Sequence, residues 1–205
     1  MVTSRFPWVE ATAARIVGSV LAAPPTLGGG RLVCVDGPSG AGKTTLAAAL
    51  GRDLRDALRV PGAAADRAHV RVVHMDSLYA GWDGLAAGMA TLTDDVIGPL
   101  RHGRPGRYRR YDWHRDAFAE ERAVEPCEVL LVEGVGAAPA ACTDVVTCLV
   151  WVDAPSDVRL ERGVRRDGTA ARGPLLGWQA QEEAMFARER TRQRADVVVD
   201  GTRST

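Results

Sequence analysis

The chain has 205 residues, of which 46% are hydrophobic and 25% are charged, and 26 basic residues balance 26 acidic ones. This length suits one sizeable hydrophobic core rather than two. A net charge of zero gives no global attraction to nucleic acid or to an anionic membrane, and no apolar run approaches the ~20 residues of a membrane-spanning helix.

Two further features concern the compartment. Residues 1–10 lack the basic-then-apolar order of a secretory signal. The four cysteines show no C-x-x-C spacing, which favours buried, reduced thiols over disulfides or a metal cluster. The sequence therefore predicts a cytoplasmic protein.

Residues 1–30 are predicted to form a helix followed by a flexible joint. Within 8–22, small and β-branched apolar residues recur at helical spacing, which is typical of an amphipathic helix packed on a core. Pro24 and Pro25 end this helix, and the glycines at 28–30 form the joint before the first strand.

Residues 31–59 predict a strand, a glycine loop and a helix. The loop matches G-x-x-x-x-G-K-[ST] without a gap, and an apolar run and an alanine-rich run flank it as a phosphate-binding loop requires. In such a loop the backbone N–H groups surround phosphate oxygens, Lys43 reaches the outer phosphates and Thr44 binds Mg²⁺. Lys43 is also the only lysine of the chain, which favours a site that requires a compact charge. The alternative is a glycine turn without a ligand. The predicted nucleotide-binding residues are Gly37, Pro38, Ser39, Gly40, Ala41, Gly42, Lys43, Thr44 and Thr45.

The remaining elements alternate between apolar strands and helices. Strands are predicted at 70–75, 129–132, 145–152 and 195–200, helices at 93–103, 155–166 and 175–193, and loops at 61–68 and 77–88. Thr93 is expected to cap the first of these helices. Continuous apolar strands that alternate with helices predict a parallel sheet covered on both faces, within one α/β domain.

Acidic residues stand at the ends of these strands, where ligands of parallel sheets bind. Glu133 closes an apolar strand, as an acid that holds Mg²⁺ directly or through water does, and the alternative is a turn before Gly134. Asp76 is the best-placed carboxylate to take a proton from an acceptor hydroxyl in phosphoryl transfer, with a turn cap as the alternative. Asp153 is interpreted as a helix-start residue.

Three arginines predict a lid. Arg159, Arg162 and Arg166 share one helix face, and glycines at 168 and 173 bracket a turn that contains Arg172. A mobile lid with such residues would stabilise charge on a transferring phosphoryl group and exclude water, with Arg166 as the first choice. The alternative is a solvated arginine face paired with nearby acids.

Residues 104–118 are dense in arginine and aromatic residues. In one interpretation they form an acceptor pocket, where Tyr111 or Trp113 stacks on a ring and Arg109 or Arg110 meets a phosphate or sugar oxygen. A surface hairpin with aromatic packing is an alternative. Nucleic-acid binding is a third, which the neutral overall charge disfavours.

Taken in order, these motifs resemble the uridine kinase branch of P-loop kinases, which includes phosphoribulokinase and bacterial pantothenate kinase. The resemblance covers Leu32 to Gly201, nearly the whole chain. Its parts are the loop at Asp36–Thr45, Met75–Tyr79 for the D-S-F-Y segment, Tyr111–Trp113 for Y-D-F, Val132–Gly134 for the E-G strand end, 158–173 for the lid and Arg194–Val199 for the closing strand.

The resemblance implies a three-layer P-loop NTPase fold with a parallel central sheet and an arginine-bearing lid. It implies ATP and Mg²⁺ as cofactors and a small-molecule acceptor, such as uridine or cytidine, as the partner. Neither a membrane nor nucleic acid is expected as a partner, and self-association is left open. The implied catalytic residues are Asp76 as base, Lys43, Arg162 and Arg166; the metal ligands are Thr44 and Glu133; and the acceptor-binding residues are Asp76, Tyr79, Arg110, Tyr111, Asp112, Trp113 and Arg172.

Two departures concern the acceptor. A histidine that reads the pyrimidine follows the Y-D-F segment of uridine kinases by a few residues, whereas His114 follows Trp113 directly. Residues 80–85 also differ from the usual sequence of the family at this position. The acceptor could therefore be another small metabolite or an RNA. A further alternative is a nucleotide-binding regulatory module whose only acceptor is water. We expect residues 1–205 to form one kinase domain, with 1–30 as its N-terminal helix and joint and 31–205 as its core.

Overall fold

The computed structural model describes residues 7–59 and 69–202, so the loop predicted at 61–68 lies outside the described residues. In chain order the elements are α1 (Pro7–Ala22), β1 (Arg31–Asp36), α2 (Lys43–Ala57), β2 (Val70–His74), α3 (Leu85–Thr91), α4 (Gly98–Arg101), β3 (Gly106–Asp112), β4 (Ala117–Val124), β5 (Val129–Glu133), β6 (Val146–Asp153), α5 (Ser156–Asp167), α6 (Arg172–Glu189), α7 (Thr191–Arg194) and β7 (Val197–Asp200).

Five strands form a parallel sheet in the order β2-β5-β1-β6-β7. Alternate residues of β1 enter the two cores of the molecule: Leu32 and Cys34 face one, and Val33 and Val35 face the other. Helices α1 and α2 cover the second core, while α3, the segment that follows it and α6 cover the first. The structure thus confirms the three-layer α/β fold, and burial on both faces explains why the strands are apolar runs.

The helix predicted at 93–103 begins earlier than expected, at Leu85. Helix α3 starts at Leu85 and continues through a π-helical segment (Leu92–Ile97) into α4. Thr93 lies inside this helix, where its hydroxyl donates to the Met89 carbonyl at 2.9 Å, so the predicted cap is wrong. Gly88 falls within the loop predicted at 77–88. In the structure it lies in α3, where a Cβ would approach the Tyr79 ring to 2.7 Å, so this glycine permits close packing.

The predicted turn at 168–173 is shorter than expected. Gly168 has a φ of +89° and leads into a 3₁₀ turn at Thr169–Ala171, after which Arg172 begins α6. At the other end, Arg190 adopts a left-handed conformation (φ +52°) that separates α6 from α7. The helix predicted at 175–193 is therefore two helices, and Arg172 belongs to the first of them.

Residues 104–118 contribute to an antiparallel hairpin of β3 and β4, separate from the main sheet. This topology fits both the surface-hairpin and the acceptor-pocket interpretation of the segment, so the acceptor role stays a prediction. Within the ranges given above, no helix combines the length and apolarity needed to cross a bilayer. The cysteines are free thiols, three of them buried.

Candidate active site

The glycine loop joins β1 to α2 at the carboxyl edge of the sheet. Gly37, Gly40 and Gly42 have φ values of +140°, +79° and +104°, which other residues rarely adopt. Space is equally restrictive, since a Cβ on Gly37 would lie 2.1 Å from the Val152 carbonyl oxygen. Helix α2 begins at Lys43, so its N-terminal N–H groups face the loop and favour a bound anion.

Lys43 is buried beneath this loop, and its ammonium donates to the Pro38 carbonyl at 2.9 Å. Burial lowers its pKa, and surrounding carboxylates oppose this shift, Glu182 most strongly. The charge is therefore held inside the loop, next to the space that the loop's amides enclose.

Asp36 connects the loop to the rest of the edge. Its fully buried carboxylate accepts hydrogen bonds from the N–H groups of Gly37 at 2.7 Å, Gly136 at 2.9 Å and Ala138 at 3.0 Å. Burial nevertheless raises its pKa from 3.8 to about 6. Asp36 thus braces the first residue of the loop against the segment that follows β5.

This carboxylate is expected to make stability depend on pH. Because the folded-state pKa of Asp36 lies above its unfolded value, the folded chain binds the proton more tightly, and the free energy of unfolding should fall as pH rises from about 4 to about 6. The shift corresponds to about 3 kcal/mol. Urea unfolding of the wild type and of Asp36→Asn across this range measures it, because contributions of other groups cancel in the difference. Parallel pH profiles would contradict the assignment.

Thr44, in the first turn of α2, meets Glu133 at the end of β5. The Thr44 hydroxyl donates to Glu133 Oε2 at 3.2 Å, and His74 Nδ1 lies 2.7 Å from Oε1 of the same buried carboxylate. Hydroxyl and carboxylate oxygens are ligands that Mg²⁺ prefers, and Mg²⁺ uses few protein ligands because it keeps waters and substrate phosphates. In the described part of the chain, no three or more His, Cys, Asp or Glu residues form a metal cage. The pair therefore fits a nucleotide-bound Mg²⁺.

Asp76 follows β2 in a 3₁₀ turn (Met75–Ser77) at the same edge. Its side chain is open to solvent, yet surrounding protein atoms raise its pKa by desolvation, and the Glu133 carboxylate adds to the rise. Lys43, Arg166 and His74 act in the opposite direction. The structure thus brings Asp76 within electrostatic reach of the predicted phosphate and metal residues.

The arginines of α5 face the glycine loop. Arg159 pairs with Glu182 at 2.6 Å, and Arg162 donates to the carbonyls of Gly40 at 3.1 Å and Gly201 at 3.0 Å. Arg166 is more exposed and pairs with its neighbour Asp167 at 2.7 Å.

The three arginines differ in how firmly the protein holds them. Arg159 and Arg162 brace the loop through hydrogen bonds. Arg166 is exposed, and its pKa is raised by the hydrogen bond to Asp167, with a smaller contribution from the Asp76 carboxylate. Arg172 is exposed at the start of α6.

Polar residues of the hairpin are engaged within the hairpin itself. Arg110 pairs with Glu120 at 2.8 Å and with Asp112 at 3.3 Å. Asp112 in turn accepts the N–H groups of His114 at 3.1 Å and Arg115 at 3.2 Å. Arg110 and Asp112 therefore shape the tip of the hairpin.

The tip contacts the segment that carries Asp76. Trp113 donates its indole N–H to the Asp76 carbonyl oxygen at 2.8 Å. The ring of Trp113 lies edge-on to Trp82 at 5.4 Å and to Tyr111 at 5.6 Å, and 39% of its surface is exposed. The hairpin thus places aromatic surface beside the predicted base.

Tyr79 lies elsewhere than the sequence suggested. Its side chain is 1% exposed, its hydroxyl donates to the Val135 carbonyl and its ring packs 4.9 Å from Trp178. The side chain belongs to the core and does not open on the site, because Trp178 of α6 packs against its ring.

Sequence reasoning missed Glu182 as well as His74. Glu182 is 1% exposed and accepts the Ser39 N–H at 2.8 Å on the oxygen opposite to the one that pairs with Arg159. Burial raises its pKa, and the loop amide, Lys43 and Arg159 counter the rise. The available signal was an acid on the apolar stripe of α6, since the buried residues of this helix are Leu175, Trp178, Glu182 and Met185.

A cleft of about 460 Å³ opens at the carboxyl ends of β6 and β7. Its lining includes Asp153, Pro155, Arg192 and Thr202. The cleft adjoins the glycine loop, because a Cβ on Gly201 would lie 1.9 Å from the Ala41 carbonyl oxygen. Asp153 accepts the Ala154 N–H at 2.9 Å and pairs with Arg192 at 3.5 Å. Among the described residues, no side chain caps the start of α5 at Ser156, so Asp153 does not act as the helix cap.

Comparison with known structures finds the same fold in proteins that include two described as possible or candidate kinases. A possible uridine kinase from Bacillus stearothermophilus has a TM-score of 0.67 and 22% identity, over 94% of this chain and 100% of that chain. A candidate fructose transport system kinase from Silicibacter sp. TM1040 has a TM-score of 0.58 and 22% identity, over 94% and 97% of the two chains. The protein YGR205w has a TM-score of 0.57 and 9% identity, over 98% and 96%.

Sequence comparison gives the family. No curated protein sequence matches the chain. The profile of the phosphoribulokinase / uridine kinase family matches residues 32–198, which include the glycine loop, Asp76, the hairpin, Glu133 and the arginines of α5. The chain therefore belongs to the phosphoribulokinase / uridine kinase family and is a kinase of the P-loop type.

Proposed function

We propose that this kinase uses ATP and Mg²⁺ to phosphorylate a hydroxyl group of a nucleoside such as uridine or cytidine. One observation carries the proposal: β2 and β5 end in register at His74 and Glu133, Asp76 follows directly after β2, and the hairpin tip contacts the Asp76 backbone. A base, a phosphate site and an aromatic surface are thus supplied at one edge of the sheet.

The nucleotide half of the proposed site is the glycine loop with the cleft beside it. Loop amides and the start of α2 bind the phosphates, and Lys43 leaves the Pro38 carbonyl to reach them. The cleft beyond β6 and β7 takes the nucleoside part of ATP. Thr44 and Glu133 would hold Mg²⁺, which when bound neutralises charge on the phosphates.

The acceptor half lies between Asp76 and the hairpin. Asp76 orients the acceptor hydroxyl and takes its proton, and Arg162 and Arg166 with Arg172 stabilise phosphoryl charge once the lid closes. Trp113 offers an exposed aromatic face to a pyrimidine ring. Arg110 and Asp112 serve the acceptor indirectly, by holding the tip that carries Trp113.

A sugar acceptor is the second candidate, because the neighbour from Silicibacter sp. TM1040 is described as a candidate fructose transport system kinase. RNA is less favoured, because hairpin arginines are paired: Arg107 with Glu121 at 2.8 Å and Arg122 with Glu120 at 2.6 Å. A cytoplasmic location, self-association and a single domain spanning residues 1–205 stay predictions.

The test is ATP consumption by the purified protein with a panel of acceptors, with the product identified by mass. The panel contains nucleosides, nucleoside monophosphates, pantothenate, sugars and sugar phosphates. We expect ADP formation that depends on uridine or cytidine and yields the nucleoside monophosphate. Stimulation by sugars alone would support the kinase activity and contradict a nucleoside as the acceptor. ATP hydrolysis that no acceptor stimulates would favour a regulatory module instead.

A further inference from the structure

Strands β2 and β5 are flanked by two histidine–glutamate pairs. His69 Nδ1 lies 2.6 Å from Glu128 Oε1 just before the strands, and His74 Nδ1 lies 2.7 Å from Glu133 Oε1 where they end. The strands are parallel and in register between the two pairs. Each pair lies five positions from the other along the chain, which corresponds to roughly 17 Å at roughly 3.3 Å per residue. The pairs therefore match in chemistry and differ in place.

Of the two pairs, only the second contains the candidate metal carboxylate, Glu133. Glu133 accepts the Thr44 hydroxyl on Oε2 and the His74 ring on Oε1. An ionised carboxylate only accepts hydrogen bonds, so the ring donates from Nδ1. Glu133 is 5% exposed, whereas the side chain of His74 is 54% exposed. One buried carboxylate is thus held from both sides, by the residue that would share its metal and by a histidine at the solvent edge.

We propose that His74 is a positioning residue that fixes the Glu133 carboxylate so that its other oxygen faces Thr44 and Mg²⁺. The inference rests on the proposed function, in which Thr44 and Glu133 hold the metal. A hydrogen bond to the far oxygen of a ligating carboxylate sets its orientation, and loss of such a partner typically weakens metal binding ~10–100-fold. His69, which holds Glu128 at the opposite edge, has no such effect.

The test is calorimetric binding of a non-hydrolysable ATP analogue, with Mg²⁺ and with a chelator in its place. The quantity compared is the gain in affinity that Mg²⁺ brings. We expect His74→Ala to lose ~10–100-fold of this gain. His74→Asn should keep most of it, because the asparagine amide nitrogen lies near the position of Nδ1. His69→Ala, the matched control, should keep all of it, and affinity with the chelator should be equal in all four proteins.

The outcomes separate two ideas. A wild type that gains nothing from Mg²⁺ would refute the magnesium site, and with it the proposed role of Glu133. A wild-type gain that His74→Ala retains would overturn the inference about His74 alone. Equal losses in His74→Ala and His69→Ala would also overturn it, because they would reflect weaker pairing of β2 with β5. Thermal denaturation of each variant shows whether it is folded under the conditions of the titration.

Discussion

Asp76→Asn is expected to lower the rate of phosphoryl transfer ~10²–10⁴-fold, the contribution typical of a general base. The substitution keeps the shape of the side chain, but the amide cannot take the proton of an acceptor hydroxyl. The loop amides, Lys43 and the Thr44–Glu133 pair stay in place, because Asp76 influences them only through its charge. Affinity for a non-hydrolysable ATP analogue should therefore change little. Steady-state kinetics with the acceptor found by the panel, and calorimetry with the analogue, measure the two quantities.

A matched control is Asp56→Asn, in which an exposed carboxylate in the last turn of α2 loses its charge far from the loop. It should behave as the wild type in both measurements. Near-normal turnover of Asp76→Asn would remove Asp76 from the role of base. Lost affinity for the analogue would instead indicate damage to the nucleotide site.

The sequence alone predicted the parts of the fold and site that depend on local pattern. The strand, loop and helix around Lys43 follow from the spacing of glycines and apolar residues. Asp76 and Glu133 lie at the same edge of the sheet because they stand at the carboxyl ends of the parallel strands β2 and β5. The first inference needs only local pattern, whereas the second also requires β2 and β5 to be neighbours in the sheet, which the structure shows.

Contacts between distant parts of the chain could not be predicted in this way. Gly88 looked like a loop residue because its partner, the Tyr79 ring, is visible only in three dimensions. Tyr79 looked accessible because Trp178, which covers it, lies in a later helix. The contact between Trp113 and Asp76 likewise depends on where the hairpin folds against the sheet. In each case a tertiary neighbour overrode the local pattern.

Glu182 is the strongest such case, and its removal should have the largest effect on stability. Glu182→Ala is expected to lower the free energy of unfolding by ~3–5 kcal/mol, as loss of one partner of a buried ion pair does. The change leaves the largely buried Arg159 guanidinium without its carboxylate and removes the acceptor of the Ser39 N–H. For a chain of this size the unfolding temperature should fall by roughly 6–20 °C. Urea unfolding and thermal denaturation measure both values.

The neighbouring residue supplies the control. Glu183 is exposed on the same turn of α6, so Glu183→Ala should change stability by no more than ~0.5 kcal/mol. A second variant, Glu182→Met with Arg159→Leu, removes both charges of the pair, and it should recover much of the loss because the Arg159 guanidinium is no longer buried without its carboxylate. If Glu182→Ala is as stable as Glu183→Ala, the buried pair does not hold the loop. If the double variant is no better than Glu182→Ala, the loss comes from the Ser39 amide and the buried Lys43 charge rather than from the unpaired arginine.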